Sequence, residues 1–495
     1  MSNAVEPVRH VAVPLSKSVA SVARAPALPG WRGGFEDLAR DHAFEPLRVT
    51  GALPHDLDGS FYRNGGGRFG VAGERYRHWF DADGAVSGVR LEGGAAYGAA
   101  RVVQTEGLAR EAKAGKRLFG GYDTPFTRPF RELVLRDGKN PANTSVLVWQ
   151  GRLFATCEAG KPFEMSTRDL ASMGETDLGG AVTKAFSAHS HYIAARRCTY
   201  NFGLTVGPKT TVDVYALPDE GAARRIASFR IDGLRLNHDF VVTDRHIVFV
   251  LAPMYLSLFN MILGRKGAVS SAKWKPAEGT EIVVIPLDAP ENITRWKTDA
   301  FFLEHSVNAY ESGDELVFDY IHYASPRGLE GFVGKLASGQ PEAPLESEVR
   351  RATLDVARKT LKTETLLARA VELPRVSPQV EARRHRFAYY AGWSARGVKA
   401  PFDAIVKHDT ETGRVDVHAP GVDEYPSEAV FVPRAGSVAE DDGYVLSLVY
   451  DAAVDRSRLD VLDARGIGDG PIVSCHFDHA IPFGFHGAWA PRQGA

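Results

Sequence analysis

From about residue 50 onward, short apolar runs rich in Val, Ile, Phe and Tyr alternate with clusters of Gly, Pro, Asn and Asp. Examples are TSVLVWQGRLFATCE, TTVDVYALPD, HDFVVTDRHIVFVLAP, TEIVVIPLD, DELVFDYIHY and GYVLSLVYD. Each run predicts a strand, or a hairpin closed by a tight turn. A helical period over more than ten residues is scarce; ARKTLKTETLLARAVE carries a weak one and leans towards strand. The strand signal persists from about 55 to 490 with no linker, which predicts an all-β body: a sandwich, a barrel or a propeller. A propeller accommodates that length in one domain while leaving only short edges. No clean blade repeat is visible. Residues 1–30 read as a flexible arm and 31–495 as a single domain.

Composition narrows the function. The 495 residues carry 59 Lys and Arg against 61 Asp and Glu, a net charge of -2, so the basic footprint of a general nucleic-acid binder is missing. The content of 44% hydrophobic and 24% charged residues is that of an ordinary globular chain. Three cysteines, none spaced as CxxC, make neither a disulfide framework nor a zinc motif. The glycines near 65–70 are loop glycines, since no strand–helix–strand pattern surrounds them. The N-terminus has no apolar core of signal-peptide length, no stretch is long enough for a membrane span, and the expected location is the cytoplasm. Residues 251–263, LAPMYLSLFNMIL, hold thirteen positions without a charge and precede GRKG. That run reads either as buried or as an apolar patch that meets a membrane.

Four of the sixteen histidines have distinctive surroundings: His189 in FSAHSHY, His238 in NHDFVV, His305 in EHSVNAYE and His486 in IPFGFHG. Their intervals are 49, 67 and 181 residues, and no HExxH or cysteine cluster ties them together. Taken singly, each is as well read as a core or surface residue. A shared metal would require distant strands to converge on one axis, as in the channel of a propeller.

Ten stretches in order resemble the carotenoid cleavage oxygenase family. They are GALPHDLDGSFYRNGG, HWFDADGAV, LFATCEAGKPFEM, FSAHS, NHDF, EHSVNAYE, VELPRV, SEAVFVPR, EDDGYVLSLVYDA and IPFGFHG, and they span about residues 50–490. The resemblance implies a seven-bladed β-propeller with a dome of loops and helices over the iron-bearing face. It implies Fe(2+) ligation by His189, His238, His305 and His486, and outer glutamates Glu158, Glu372 and Glu428 that orient His238, His305 and His486. His189 is left without a carboxylate. The implied reaction inserts both atoms of O2 across a carbon–carbon double bond of a carotenoid or apocarotenoid, giving two carbonyls with no organic cosubstrate. The alternative substrate is a stilbene or phenylpropanoid. The expected partners are therefore an apolar conjugated small molecule and O2.

Two positions depart from relatives. Stilbene-cleaving members have a Lys before the first outer Glu and a Tyr that hold a substrate phenolate. Here Cys157 replaces that Lys, while Tyr122 in GYDTPF matches the Tyr. A thiol cannot supply a cationic hydrogen bond. Glu304, immediately before His305, stands where the family usually has an aromatic residue. A buried carboxylate there is costly unless paired, so it either meets a polar substrate end or turns into a hydrogen-bond network.

Overall fold

The computed structural model describes residues 29–125, 138–158, 160–206, 209–257, 259–260 and 266–492. Seven antiparallel sheets of four to six strands follow one another around an axis, forming a seven-bladed propeller, and two short ribbons lie outside them. The predicted strands form: TSVLVWQGRLFATCE becomes the hairpin of Ser145–Trp149 and Arg152–Thr156. Its two-residue turn has φ of 50° at Gln150 and 73° at Gly151, the left-handed pair that matches strand twist. The weakly helical stretch forms the outer strand Thr360–Leu367, where pairing with Glu348–Asp355 overrides local propensity.

Closure is double. The last strand, Gly484–Pro491, pairs with Gly59–Arg68 and becomes the innermost strand of blade 1. Near the other end of the chain, Arg48–Gly51 pairs with Pro471–His476 as the outer strand of blade 7. Blades 2 to 6 lie within 145–418 and use consecutive strands, except that a short ribbon of Met254–Tyr255 and Lys273–Trp274 interrupts blade 4.

Over one mouth of the channel, insertions build a dome that includes the helices Glu106–Ala114 and Pro326–Val333. Its core joins Trp31, Phe35, Phe69, Trp79, Phe332, Trp393 and Phe483 to the inner strands. Gly30 and Trp31 thus begin an ordered element, the 3-10 turn Gly30–Phe35; residues 1–28 of the expected arm lie outside the described residues. Phe35 is fully buried and meets the rings of Trp79 and Phe483 at 5.2 and 4.9 Å. Phe35→Ala is expected to cost about 3–5 kcal/mol, read as a lower denaturation midpoint. An unchanged midpoint would mean that the dome does not unfold with the propeller.

The 251–263 run divides. Leu251, Ala252 and Met254 are buried, because the run opens as a core strand and Met254 pairs with Trp274 under the dome. Tyr255 is covered by the cations of Lys275 and Arg235 at 4.5 and 5.2 Å. Of the two readings of the run, the buried one holds for Leu251, Ala252 and Met254. Phe259 is 67% exposed, while Leu258 and residues 261–265 lie outside the described residues. No helix among the described residues is long and apolar enough to cross a membrane.

Candidate metal centre

The four histidines stand at the dome end of the inner strands of four blades. His189 precedes His191–Ile193, His238 precedes Val241–Val242, His305 lies in Phe302–Ser312 and His486 in Gly484–Pro491. The structure brings them together: one ligand atom from each lies within 4.8 Å of all the others. His189 Nε2 and His238 Nε2 are 2.8 Å apart. His305 Nε2 is buried with no hydrogen-bond partner. The His189 ring meets those of His238, His305 and His486 edge-on, at 4.4, 5.0 and 4.5 Å.

The remaining three blades each supply a glutamate behind the imidazoles. Glu158 Oε1 lies 2.6 Å from His238 Nδ1. Glu372 Oε2 lies 2.5 Å from His305 Nδ1, and Glu372 Oε1 accepts from the Tyr323 hydroxyl at 2.6 Å. Leu373 N–H also donates to Glu372 Oε2 at 2.6 Å, from a left-handed backbone with φ of 51°. That conformation costs a non-glycine residue about 1–2 kcal/mol, a strain held where the carboxylate is aimed. Glu428 Oε1 lies 2.8 Å from His486 Nδ1, and Glu428 Oε2 accepts from Gly487 N–H at 2.7 Å. Arg375 binds both Glu428 oxygens at 2.9 and 3.1 Å. Burial pushes the Glu428 carboxyl up, but Arg375 and then His486 pull it down to about 2.

These Nδ1 contacts turn three Nε2 atoms inward, as a metal-bound imidazole requires. Burial, followed by the charges of His238, His486 and His305, holds His189 well below its ordinary pKa, in the neutral form that ligates. Imidazole–metal bonds of about 2.0–2.1 Å place neighbouring ligand nitrogens about 3 Å apart, close to the His189–His238 separation. Borderline nitrogen donors suit a first-row divalent ion, and the carboxylates behind them balance its charge. The donor set therefore fits a non-haem metal.

Several supporting residues were not singled out from the sequence. Asn201 is fully buried and donates to the carbonyls of His189 and Ser187 at 2.6 and 3.0 Å. Asp239 accepts from Ser306 N–H and Oγ at 2.8 and 2.7 Å, tying the His238 turn to the His305 strand. Arg375 sits inside VELPRV, where a cation one turn of chain beyond Glu372 was the available signal. Nothing local marks Asn201 or Tyr323.

Tyr122 donates to Glu330 Oε1 at 2.7 Å. Cys157 is buried and bridges to Phe186 through the backbone. Glu304 is 6% exposed, and its Oε2 has no hydrogen-bond partner. Of the two arrangements expected for Glu304, a hydrogen-bond network is not found among the described residues.

Residues 35–491 match the protein family described as retinal pigment epithelial membrane protein. The chain is 30% identical over 471 residues to the apocarotenoid-15,15'-oxygenase of Synechocystis, covering 93% of this chain and 96% of that relative. It is 28% identical over 463 residues to an isoeugenol monooxygenase of Pseudomonas nitroreducens, covering 90% and 94%. A solved structure of a cobalt-substituted form of the Synechocystis oxygenase superposes with a TM-score of 0.84 at 28% identity, covering 94% of this chain and 98% of that one.

Proposed function

The chain belongs to the carotenoid cleavage oxygenase family, and from that premise we propose that it is a non-haem iron(II) dioxygenase cleaving a conjugated double bond of a carotenoid or apocarotenoid. The supporting observation is the convergence of His189, His238, His305 and His486 with a glutamate behind three of them. In this reading the four Nε2 atoms hold Fe(2+), which when bound supplies O2 activation. The conjugated substrate supplies the electrons, and each carbon of the broken double bond leaves with one oxygen atom as a carbonyl. Glu158, Glu372 and Glu428 are positioning residues: they fix imidazole orientation and place negative charge behind the ion. Phe80 and Phe485, whose rings are 5.2 Å apart, pack in the dome core, Phe485 next to His486 in the chain. No side chain is needed to move a proton.

A stilbene or phenylpropanoid substrate is the second reading, favoured by Tyr122 and by the isoeugenol monooxygenase relative. Against a phenolate stand the thiol of Cys157 and the acidic side chains Glu304 and Glu330. Anaerobic loading with Fe(2+), then exposure to an apocarotenal or a 4-hydroxystilbene under isotopically labelled O2, separates the two. We expect two carbonyl products from the apocarotenal, each carrying label; cleavage of the stilbene alone would reverse the ranking.

Three buried cysteines that form no disulfide suit a reducing compartment, so the cytoplasm is the proposed location. The exposed Phe259, with the basic Lys266 after it in the chain, supports collection of substrate from a lipid surface. Phe259→Ser is expected to weaken binding to anionic liposomes several-fold without changing the denaturation midpoint. Equal liposome binding by both proteins would remove the membrane contact from the proposal.

A further inference from the structure

We propose that the protein binds a second metal ion, a divalent cation of the zinc class, where the propeller ring closes. Its ligands are His42, His479 and Asp478, with Glu45 beside them. The ion clasps a segment near the start of the chain to one near its end, and it shares no residue with the four-histidine centre.

One ligand atom each from His42, Asp478 and His479 lies within 4.8 Å of the other two. The two imidazoles stack, with centroids 3.3 Å apart and planes 9° from parallel. His479 Nδ1 lies 2.6 Å from Asp478 Oδ1, and Glu45 Oε2 lies 3.6 Å from His42 Nδ1. Each ring keeps one buried nitrogen with no hydrogen-bond partner among the described residues: Nδ1 in His42 and Nε2 in His479. His42 is 3% exposed. An unpaired buried imidazole nitrogen is penalised, and here two stacked rings each carry one next to carboxylates.

The backbone presents these groups to one another. His42 opens the strand His42–Pro46, which pairs with Ala95–Val102 at the outer edge of blade 1. In a regular strand, positions three apart point to opposite faces. The register of this pairing shifts between His42 and Glu45, and that irregularity brings both side chains to one side. Asp41 Oδ1 accepts from Val102 N–H at 3.0 Å and pins the start of the strand. Asp478 and His479 lie in the segment that leaves Pro471–His476 of blade 7 and crosses to Gly484–Pro491 of blade 1. Phe477 anchors that segment in the core; its N–H donates to the Ser457 carbonyl at 2.9 Å, and the His479 carbonyl accepts from Ser457 N–H at 3.0 Å.

Two imidazoles and two carboxylates suit Zn(2+) or a neighbouring first-row ion. Metal–ligand bonds of about 2.0–2.2 Å place neighbouring donors roughly 3–3.5 Å apart, close to the His42–Glu45 separation. Parallel rings do not aim their nitrogens at one point, so the His479 ring turns about its side-chain bonds when the ion binds. The Asp478 side chain is 74% exposed, which gives the ion a way in from solvent. A clip between segments so distant in the chain restricts the unfolded state strongly.

The test counts zinc in the untagged protein by elemental analysis after equilibration with Zn(2+) and gel filtration. The wild type is expected to carry about one ion more than His479→Gln. Asp478→Asn alters an exposed side chain and should weaken the additional ion about tenfold or more, since loss of even an outer partner costs about 10–100-fold. In His238→Ala, where the four-histidine centre is broken, Zn(2+) should raise the denaturation midpoint, and the His238→Ala/His479→Gln protein should lose that rise. Equal zinc content in the wild type and His479→Gln would overturn the clasp. If His479→Gln failed to fold, equal zinc affinity of the wild type and Asp478→Asn would overturn it. None of these readouts requires cleavage, so failure of the oxygenase reading would leave them unchanged.

Discussion

The His238→Ala protein is expected to retain less than about a tenth of the iron bound by the wild type and to lose cleavage activity in proportion. Loss of an outer partner alone costs about 10–100-fold in metal affinity or activity, and removal of the ligand itself should cost more. His238 is well suited to the test because its Nε2 lies 2.8 Å from that of His189, so the substitution opens the cluster at its closest contact. It also leaves Glu158 without the imidazole at 2.6 Å. Elemental analysis after anaerobic loading reads the outcome. Replacement of His55, which is exposed in a turn before the strand Gly59–Arg68, serves as the control and should keep about one ion per chain. Full iron occupancy in His238→Ala would exclude the four-histidine centre.

Glu428→Gln should lower iron affinity by about 10–100-fold and also destabilise the fold. Glu428 accepts from Arg375 and Gly487 N–H and faces His486 Nδ1, so four contacts converge on two oxygens. An amide turns an N–H2 group towards at least one of these donors and leaves the Arg375 charge uncompensated. The Arg375 side chain is 37% exposed, so solvent screens part of the pair and the cost falls below the about 3–5 kcal/mol of a fully buried one. Adding Arg375→Met should recover much of the denaturation midpoint while iron affinity stays low, because the carboxylate behind His486 is still missing. Glu158→Gln should lower iron affinity with a smaller loss of stability, since the Glu158 side chain is 32% exposed and, among the described residues, its close ionic contact is His238. A Glu428→Gln protein with wild-type iron affinity and midpoint would remove Glu428 from the centre.

Much of the architecture was legible in the chain. Strand and turn chemistry is local: the Gln150–Gly151 turn and the apolar runs on either side specify a hairpin with no reference to the remainder of the molecule. The candidate ligands were legible for a different reason. Each of His189, His238, His305 and His486 stands in a short motif shared with the family, although intervals of up to 181 residues conceal any connection between them.

The sequence by itself determined an all-β body, the residue types offered to a metal and a near-balanced net charge. Only the tertiary structure decided what each group faces. Seven blades around one axis bring a histidine from each of four and a glutamate from each of three to the same end of the channel. Double closure of the ring carries His486, near the end of the chain, to a strand that pairs with Gly59–Arg68. The apolar run at 251–263 was divided by packing: a strand that opens in the core buries Leu251 and Met254, while Phe259 turns outward. Arg375 was assigned to Glu428, 53 residues away, and Tyr122 to Glu330, 208 residues away. Such pairings depend on blade register and dome docking, in which each contact is fixed by many weak burials spread over the chain; no local pattern encodes them.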